Sequence, residues 1–195
     1  MTKYETALRL IDEAHSQDPT TTTSQNGDQL PYELHYANKM TQYLSQRQPT
    51  ASEPLRLAIR AQHLKRWEVP RSSYPMTRAG YYAWRGYLGK RQAEIAVQIC
   101  VESGYSQDEA ERVGSLVRKE DLRKQDEETQ VLEDVACLVF LDDQLEGFEK
   151  GLGDEEKVVS ILRKTWGKMS ERGRELALGI SMSERTKELV GKALS

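Results

Sequence analysis

The sequence predicts an all-α protein: a single-domain bundle of about seven to nine helices. Three observations carry that prediction. Apolar residues recur at the three- and four-residue spacing of one helix face in segment after segment. Good helix formers dominate, while phenylalanine occurs twice and long β-branched runs are scarce. Serine, threonine or aspartate stands at successive helix starts, several times with glutamate three residues on, as in a capping box. A length of 195 residues suits one domain with a sizeable core.

Taken in order, residues 3–15 form an amphipathic helix with Ala7, Leu8, Leu10, Ile11 and Ala14 at its apolar positions. Asp18-Pro19 and the TTTTSQNGD run make a polar loop. A second helix begins near Pro31, which suits a first turn, and runs through YELHYANKMTQYL. Thr50 and Glu53 form a capping box for a third, from Pro54 to about Trp67, with Leu55, Leu57, Ala58, Ala61 and Leu64 inward. Pro70 and Pro75 break that helix and leave VPRSSYP as an ordered loop. A long helix resumes near Thr77 and ends at Gly104, and Ser106 with Glu109 caps the next, through about Lys119. The segment from Glu127 to Phe148 contains VACLVFL, apolar almost all round, and is therefore the centre of the bundle. Asp154 caps a helix through Trp166, and Ser170 and Ser181 (with Glu184) begin two short, charged ones. Residues 154–195 thus read as a peripheral C-terminal hairpin on the main bundle.

The first residues are acidic in part and lack an apolar run of signal-peptide length, and no window approaches the roughly 20 apolar residues that span a bilayer. This predicts a soluble cytoplasmic protein with no membrane association. Cys100 and Cys137 lie within apolar helical patterns and read as buried, reduced thiols.

The stretch Pro54–Arg91 stands apart chemically. It carries Arg60, Lys65, Arg66, Arg71, Arg78, Arg85, Lys90 and Arg91, and its one acid is Glu68. Trp67, Tyr74, Tyr81, Tyr82, Trp84 and Tyr87 lie in it as well. Because the whole chain has a formal charge of −3, this positive surplus is balanced elsewhere, and such segregation marks a site for an anion. The loop WEVPRSSYP offers Arg71, Ser72, Ser73 and Tyr74 together, donors suited to phosphate oxygens. Aromatics with arginines also suit nucleic acid, but the acidic balance (pI about 5.8) favours a localised site for a phosphorylated small molecule or nucleotide. The plain alternative is packing, with arginines stacked on tryptophan and tyrosine. Another is an adaptor whose aromatic segment meets a protein partner.

The histidines are His15, His35 and His63. His63 lies at the edge of the apolar face of its helix, where a packing residue is the ordinary reading. Asp134 shares a helix face with Leu138, Leu141 and Leu145 and so is carried inward. A buried carboxylate needs a cation, a metal or several donors. Asp134 is therefore either a structural ion-pair partner of an arginine in the Pro54–Arg91 stretch or a functional group, as a metal ligand or general base or by orienting His63 or an arginine. Glu133, beside Cys137 and Phe140, is partly buried by the same reasoning. Lys168-Met169-Ser170 matches three residues of the KMSKS loop of class I aminoacyl-tRNA synthetases, but the second lysine and any HIGH-type element are missing and the chain is too short for the nucleotide-binding sheet, so the match is rejected.

The strings AIRAQHLKRWEVPRSSYP, GYYAWR, QVLEDVACLVFL and KTWGKMS resemble a family of small intracellular helical proteins known as a domain of unknown function, some of which carry a glutamyl-tRNA synthetase label. The resemblance covers nearly the whole chain. In the order of its elements the chain is also distantly similar to the HD-type metal-dependent phosphohydrolases. That similarity sets His63 at the histidine of the His-Asp doublet, Asp134 at the distal aspartate, Tyr36 at the first histidine, Leu64 at the doublet aspartate and Lys119 at the later histidine. It implies a degenerate HD-like domain with two of four usual ligands. Mn²⁺, Mg²⁺ or Fe²⁺ would then require His63 and Asp134 to be joined by Glu33 or His35, giving a divalent-metal phosphohydrolase as the enzyme alternative. The expected binding set is His63, Arg66, Arg71, Tyr74, Arg78, Arg85, Lys119 and Asp134.

Overall fold

The computed structural model describes residues 1–24, 27–120 and 122–195; Gln25 and Asn26 of the polar run lie outside them. It is an all-α bundle. The helices are α1 (Lys3–His15), α2 (Tyr32–Arg47), α3 (Glu53–Arg60), α4 (Arg78–Glu102), α5 (Gln107–Arg118), α6 (Glu127–Val139), α7 (Leu145–Leu152), α8 (Glu155–Lys168), α9 (Glu171–Leu178) and α10 (Glu184–Leu194). The polar loop between α1 and α2 holds a small antiparallel hairpin, β1 (Thr21–Thr23) and β2 (Gln29–Pro31), with Thr22 opposite Leu30.

One apolar cluster runs from Ala7 to Ala193, with Leu55, Leu57, Ile59, Leu64, Leu116, Leu132, Leu138 and Leu145 essentially closed to solvent. Each such side chain contributes on the order of 2 kcal/mol by leaving water. At the C-terminal end α8 packs on α10, where Arg163 Nε donates to Ala193 O at 3.2 Å, while α9 lies against α6 and α2.

The capping boxes of α1 and α5 form as their sequences require, with Thr2 paired to Glu5 and Ser106 to Glu109. Two starts differ from expectation. Ser52, not Thr50, caps α3 by accepting from Leu55 N, and Glu53 instead accepts from Tyr105 Oη at 2.7 Å. Ser183, not Ser181, caps α10 by accepting from Thr186 N.

The third helix is also shorter than its apolar pattern suggests. It ends at Arg60 rather than near Trp67, and His63 and Lys65 follow with φ of 66° and 51°. The central helix is longer than expected. α6 passes through a π turn at Phe140–Gln144 and continues as α7 to Leu152. The wide turn keeps Leu138, Leu141 and Leu145 all buried while aiming three polar residues at α2. Asp142 accepts from Lys39 Nζ at 2.8 Å, Asp143 meets His35 Nε2 at 2.6 Å, and Gln144 Nε2 donates to Tyr32 Oη at 2.8 Å.

Candidate functional site

The bend after α3 is imposed by a carboxylate some thirty residues upstream. Glu33, buried in the first turn of α2, accepts from Lys65 N and Trp67 N at 3.0 Å each. Its third neighbour is His15 Nδ1 at 3.3 Å, and His15 Nε2 lies 2.9 Å from Arg60 O, the last carbonyl of α3. Backbone N–H groups that would have continued α3 are thus turned towards Glu33. The left-handed conformation at His63 and Lys65, unfavourable for residues with a Cβ, is held by these bonds.

The same bend sets the His63 ring flat against Tyr36, with centroids 4.0 Å apart and planes 13° from parallel. Arg66 Nη1 lies 2.7 Å from His63 Nε2. A guanidinium has no lone pair to offer, so Nε2 is the acceptor and the ring proton sits on Nδ1. Burial, followed by the charges of Arg66, Arg85 and Lys119, holds the His63 pKa well below the ordinary histidine value. His63 is therefore a neutral ring among cations at neutral pH.

Arg66 itself stands 4.8 Å over the Trp84 ring. Its pKa is lowered, by burial first and then by Arg85. Neither Arg66 nor Arg85 has a carboxylate within ion-pair distance among the described residues. Trp67 Nε1, next in the chain, is a buried donor without an acceptor among them. Burial raises the Tyr36 pKa, with Arg66 opposing, so its hydroxyl stays protonated.

The other expected residues have different surroundings. Arg71 donates to the carbonyls of Tyr74 (3.0 Å), Pro75 (2.8 Å) and Thr77 (3.3 Å), which ties the loop to the start of α4. Gly80 completes that junction, because a Cβ there would fall 2.1 Å from Pro75 O. Trp84 Nε1 donates to Val69 O at 2.9 Å and fixes the other end of the loop. Tyr74 packs at a tilt on Tyr87, with centroids 6.3 Å apart, and Arg78 lies on the exposed start of α4. Lys119, the left-handed cap of α5, pairs with Glu133 at 2.5 Å, and Lys168 approaches the same carboxylate at 3.4 Å. Burial alone would raise the Glu133 pKa; the two lysines outweigh it and hold it below the usual value.

Asp134 is fully buried and takes four hydrogen bonds, none from the 54–91 stretch. Arg47 Nε donates at 2.8 Å, Gln130 Nε2 at 3.0 Å, Ser170 N at 2.7 Å and Ser170 Oγ at 2.5 Å. Ser170 Oγ also accepts from Gly173 N and so caps α9. A Cβ at Gly173 would come within 2.7 Å of the Asp134 carboxyl, so the close approach of α9 to α6 requires glycine. Arg47 and Gly173 carry no signal in the sequence; Ser170 does, as the capping residue that begins a short helix, and it caps α9 as expected.

The ligand set suggested by the HD-type similarity does not come together. Glu33 and Asp134 are engaged by the donors above, His35 meets Asp143, and the Nε2 lone pair of His63 faces Arg66. Among the described residues, no group of three or more histidine, cysteine, aspartate or glutamate side chains is placed to hold a metal ion. In this arrangement Glu33, His35, His63 and Asp134 are each engaged by partners within the protein. No helix among the described residues is long and apolar enough to cross a membrane.

What the bend does bring together is His63, Tyr36, Arg66 and Trp84, with the charge of Arg85 close enough to act on the first three. Chemically this is a hydrogen-bonding, cationic surface against aromatic rings, and among the described residues no carboxylate lies within ion-pair distance of Arg66 or Arg85. Comparison with curated proteins and with solved structures finds no match. The family model for a domain of unknown function, DUF4202, matches residues 5–190, nearly the whole chain; the protein belongs to that family.

Proposed function

We propose that this protein binds a phosphate-bearing metabolite or nucleotide at the cluster of His63, Arg66 and Arg85, as a degenerate HD-like domain. The observation that carries the reading is Arg66, a partly buried guanidinium with no carboxylate partner among the described residues. Removing a charge from water without pairing it is costly, and the cost falls when an anion arrives. Arg66 and Arg85 would meet phosphate oxygens, with the Nδ1–H of His63 and the indole of Trp67 as further donors. The HD-type similarity supports the same sense. Where that family would use histidines around a cation, this chain has Tyr36 and Lys119, and the local charge is positive without a metal. Arg71 and Asp134 serve the reading indirectly, the first by shaping the loop and the second by fixing α6.

Calorimetric titration with inorganic phosphate and with AMP tests this. The native protein should bind at least one of them, and Arg66→Met and Arg85→Met should each weaken binding about tenfold or more while leaving the circular dichroism spectrum unchanged. If the native protein binds neither probe, or both variants bind as it does, the reading fails.

A further inference from the structure

The first three turns of α4 have features that the Arg66 cluster does not use. From Val69 to Ala93 the chain contains no acidic residue. Between residues 78 and 90 only Gly80, Trp84 and Leu88 are buried. Met76 is 79% exposed, and Tyr81, Tyr82 and Tyr87 are 45%, 59% and 47% exposed, so half of the large apolar side chains that the fold leaves open fall within twelve residues. Arg78, Tyr82, Gly86 and Lys90 follow at intervals of four and form one stripe about 18 Å long, with Arg85 beside it. The Arg78 guanidinium stands 5.7 Å over the Tyr82 ring, and Tyr81 meets Tyr82 edge to face at 5.8 Å. Arg78, Arg85 and Lys90 make no ion pair among the described residues.

Two glycines sharpen the pattern. Gly86 and Gly89 lie in the helix interior, where glycine is destabilising relative to alanine. Nothing stands within 4 Å of a Cβ built at either, so packing within the fold does not require them. What their missing side chains do is leave the helix backbone bare between the tyrosines and Lys90, open to close approach from outside.

We propose that this stripe of α4 is a docking surface for single-stranded nucleic acid. Arg78, Arg85 and Lys90 would meet successive phosphates, unpaired bases would stack on Tyr82 and Tyr81, and the strand would pass over Gly86. Cations beside exposed aromatic rings suit a polyanion that carries its own flat rings. An acidic peptide would answer the cations and leave the tyrosines without partners. A duplex keeps its bases stacked on one another, and the acidic remainder of the chain repels its long, dense charge. The proposal goes beyond the phosphate reading and rests on α4 alone; Arg85 is the residue the two share.

Fluorescence anisotropy with a labelled oligothymidylate, its duplex with oligoadenylate, and polyglutamate as competitor tests it. Expected are salt-sensitive binding of the single strand, much weaker binding of the duplex, and roughly tenfold weaker binding by Tyr82→Ala. Arg78→Ala and Lys90→Ala should each weaken binding and reduce the slope of log affinity against log salt by about one. All three positions are exposed, and unchanged helicity confirms that the variants fold. Absence of single-strand binding by the native protein overturns the proposal, as does equal binding of duplex or unaltered binding by Tyr82→Ala. Competition by polyglutamate at matched charge overturns it in favour of an acidic protein partner. Phosphate titration of the same preparations reports separately on the Arg66 cluster.

Discussion

Asp134 and Arg66 are both charged groups drawn inward by the fold, and they end in opposite states. Around Asp134 each carboxylate oxygen has two donors, one is a guanidinium, and the donors come from α2, α6 and the start of α9. Around Arg66 there is a neutral ring, an indole face and a second arginine, and no carboxylate among the described residues. The first is a completed network that joins elements; the second is a network with a term missing. Burial of charge alone does not separate architecture from a binding site. Whether the partners inside the chain complete the charge does.

This contrast makes Asp134→Ala the most damaging of the substitutions considered. It strands Arg47 and the α9 cap, and breaking one side of a buried pair is worth about 3–5 kcal/mol. Urea denaturation followed by circular dichroism measures it, and a loss below about 1 kcal/mol would mean that the Asp134 network does not hold the fold. A smaller effect appears in the pH dependence of stability. The His63 pKa is depressed in the folded state, so as pH falls through about 6.5 the unfolded chain takes up a proton that the folded one refuses, and stability declines. His63→Gln should flatten that decline between pH 7 and 5 in the urea midpoint; an unaltered slope places the ring in water. The smallest change in stability is expected for Arg66→Met, which keeps the apolar stem over Trp84 and removes a partly buried charge that has no carboxylate partner among the described residues. The urea midpoint should fall by less than about 1 kcal/mol equivalent, or rise. A loss comparable to that of Asp134→Ala would make Arg66 architecture as well.

The local rules of the sequence reach a good part of this. The α1 and α5 capping boxes, the long α4 ending before Gly104 at φ +95°, and the burial of most of the VACLVFL run are all written in short-range patterns. The inward face of Asp134 follows from helix phase, but its cation does not. Arg47 ends α2 in a polar stretch with nothing to distinguish it from other surface arginines. The early end of α3 is equally hidden, because His63-Leu64-Lys65 continues the apolar period and the force that bends it comes from Glu33. Stacking of Tyr36 on His63 follows from that bend. Arg71 shows the opposite error: its chemistry suits a phosphate, while its position gives it three carbonyls of its own loop. Residue type was legible, and long-range pairing was not.

The π turn at Phe140–Gln144 bears on how this chain tolerates changes in length. Deleting one residue from a buried α-helix rotates everything beyond it by about 100° and turns packed side chains outward. Within α6 that fate awaits any single deletion between Val131 and Val139. The wide turn already holds one residue more than an α-helical turn needs, so a deletion there can be taken up by a return to the ordinary period, with α6 and α7 kept in phase. The loss would fall on the pairs to Tyr32, His35 and Lys39 rather than on the core. The centre of the bundle thus contains a point where the chain can shorten by one residue without displacing either end of its longest buried helix.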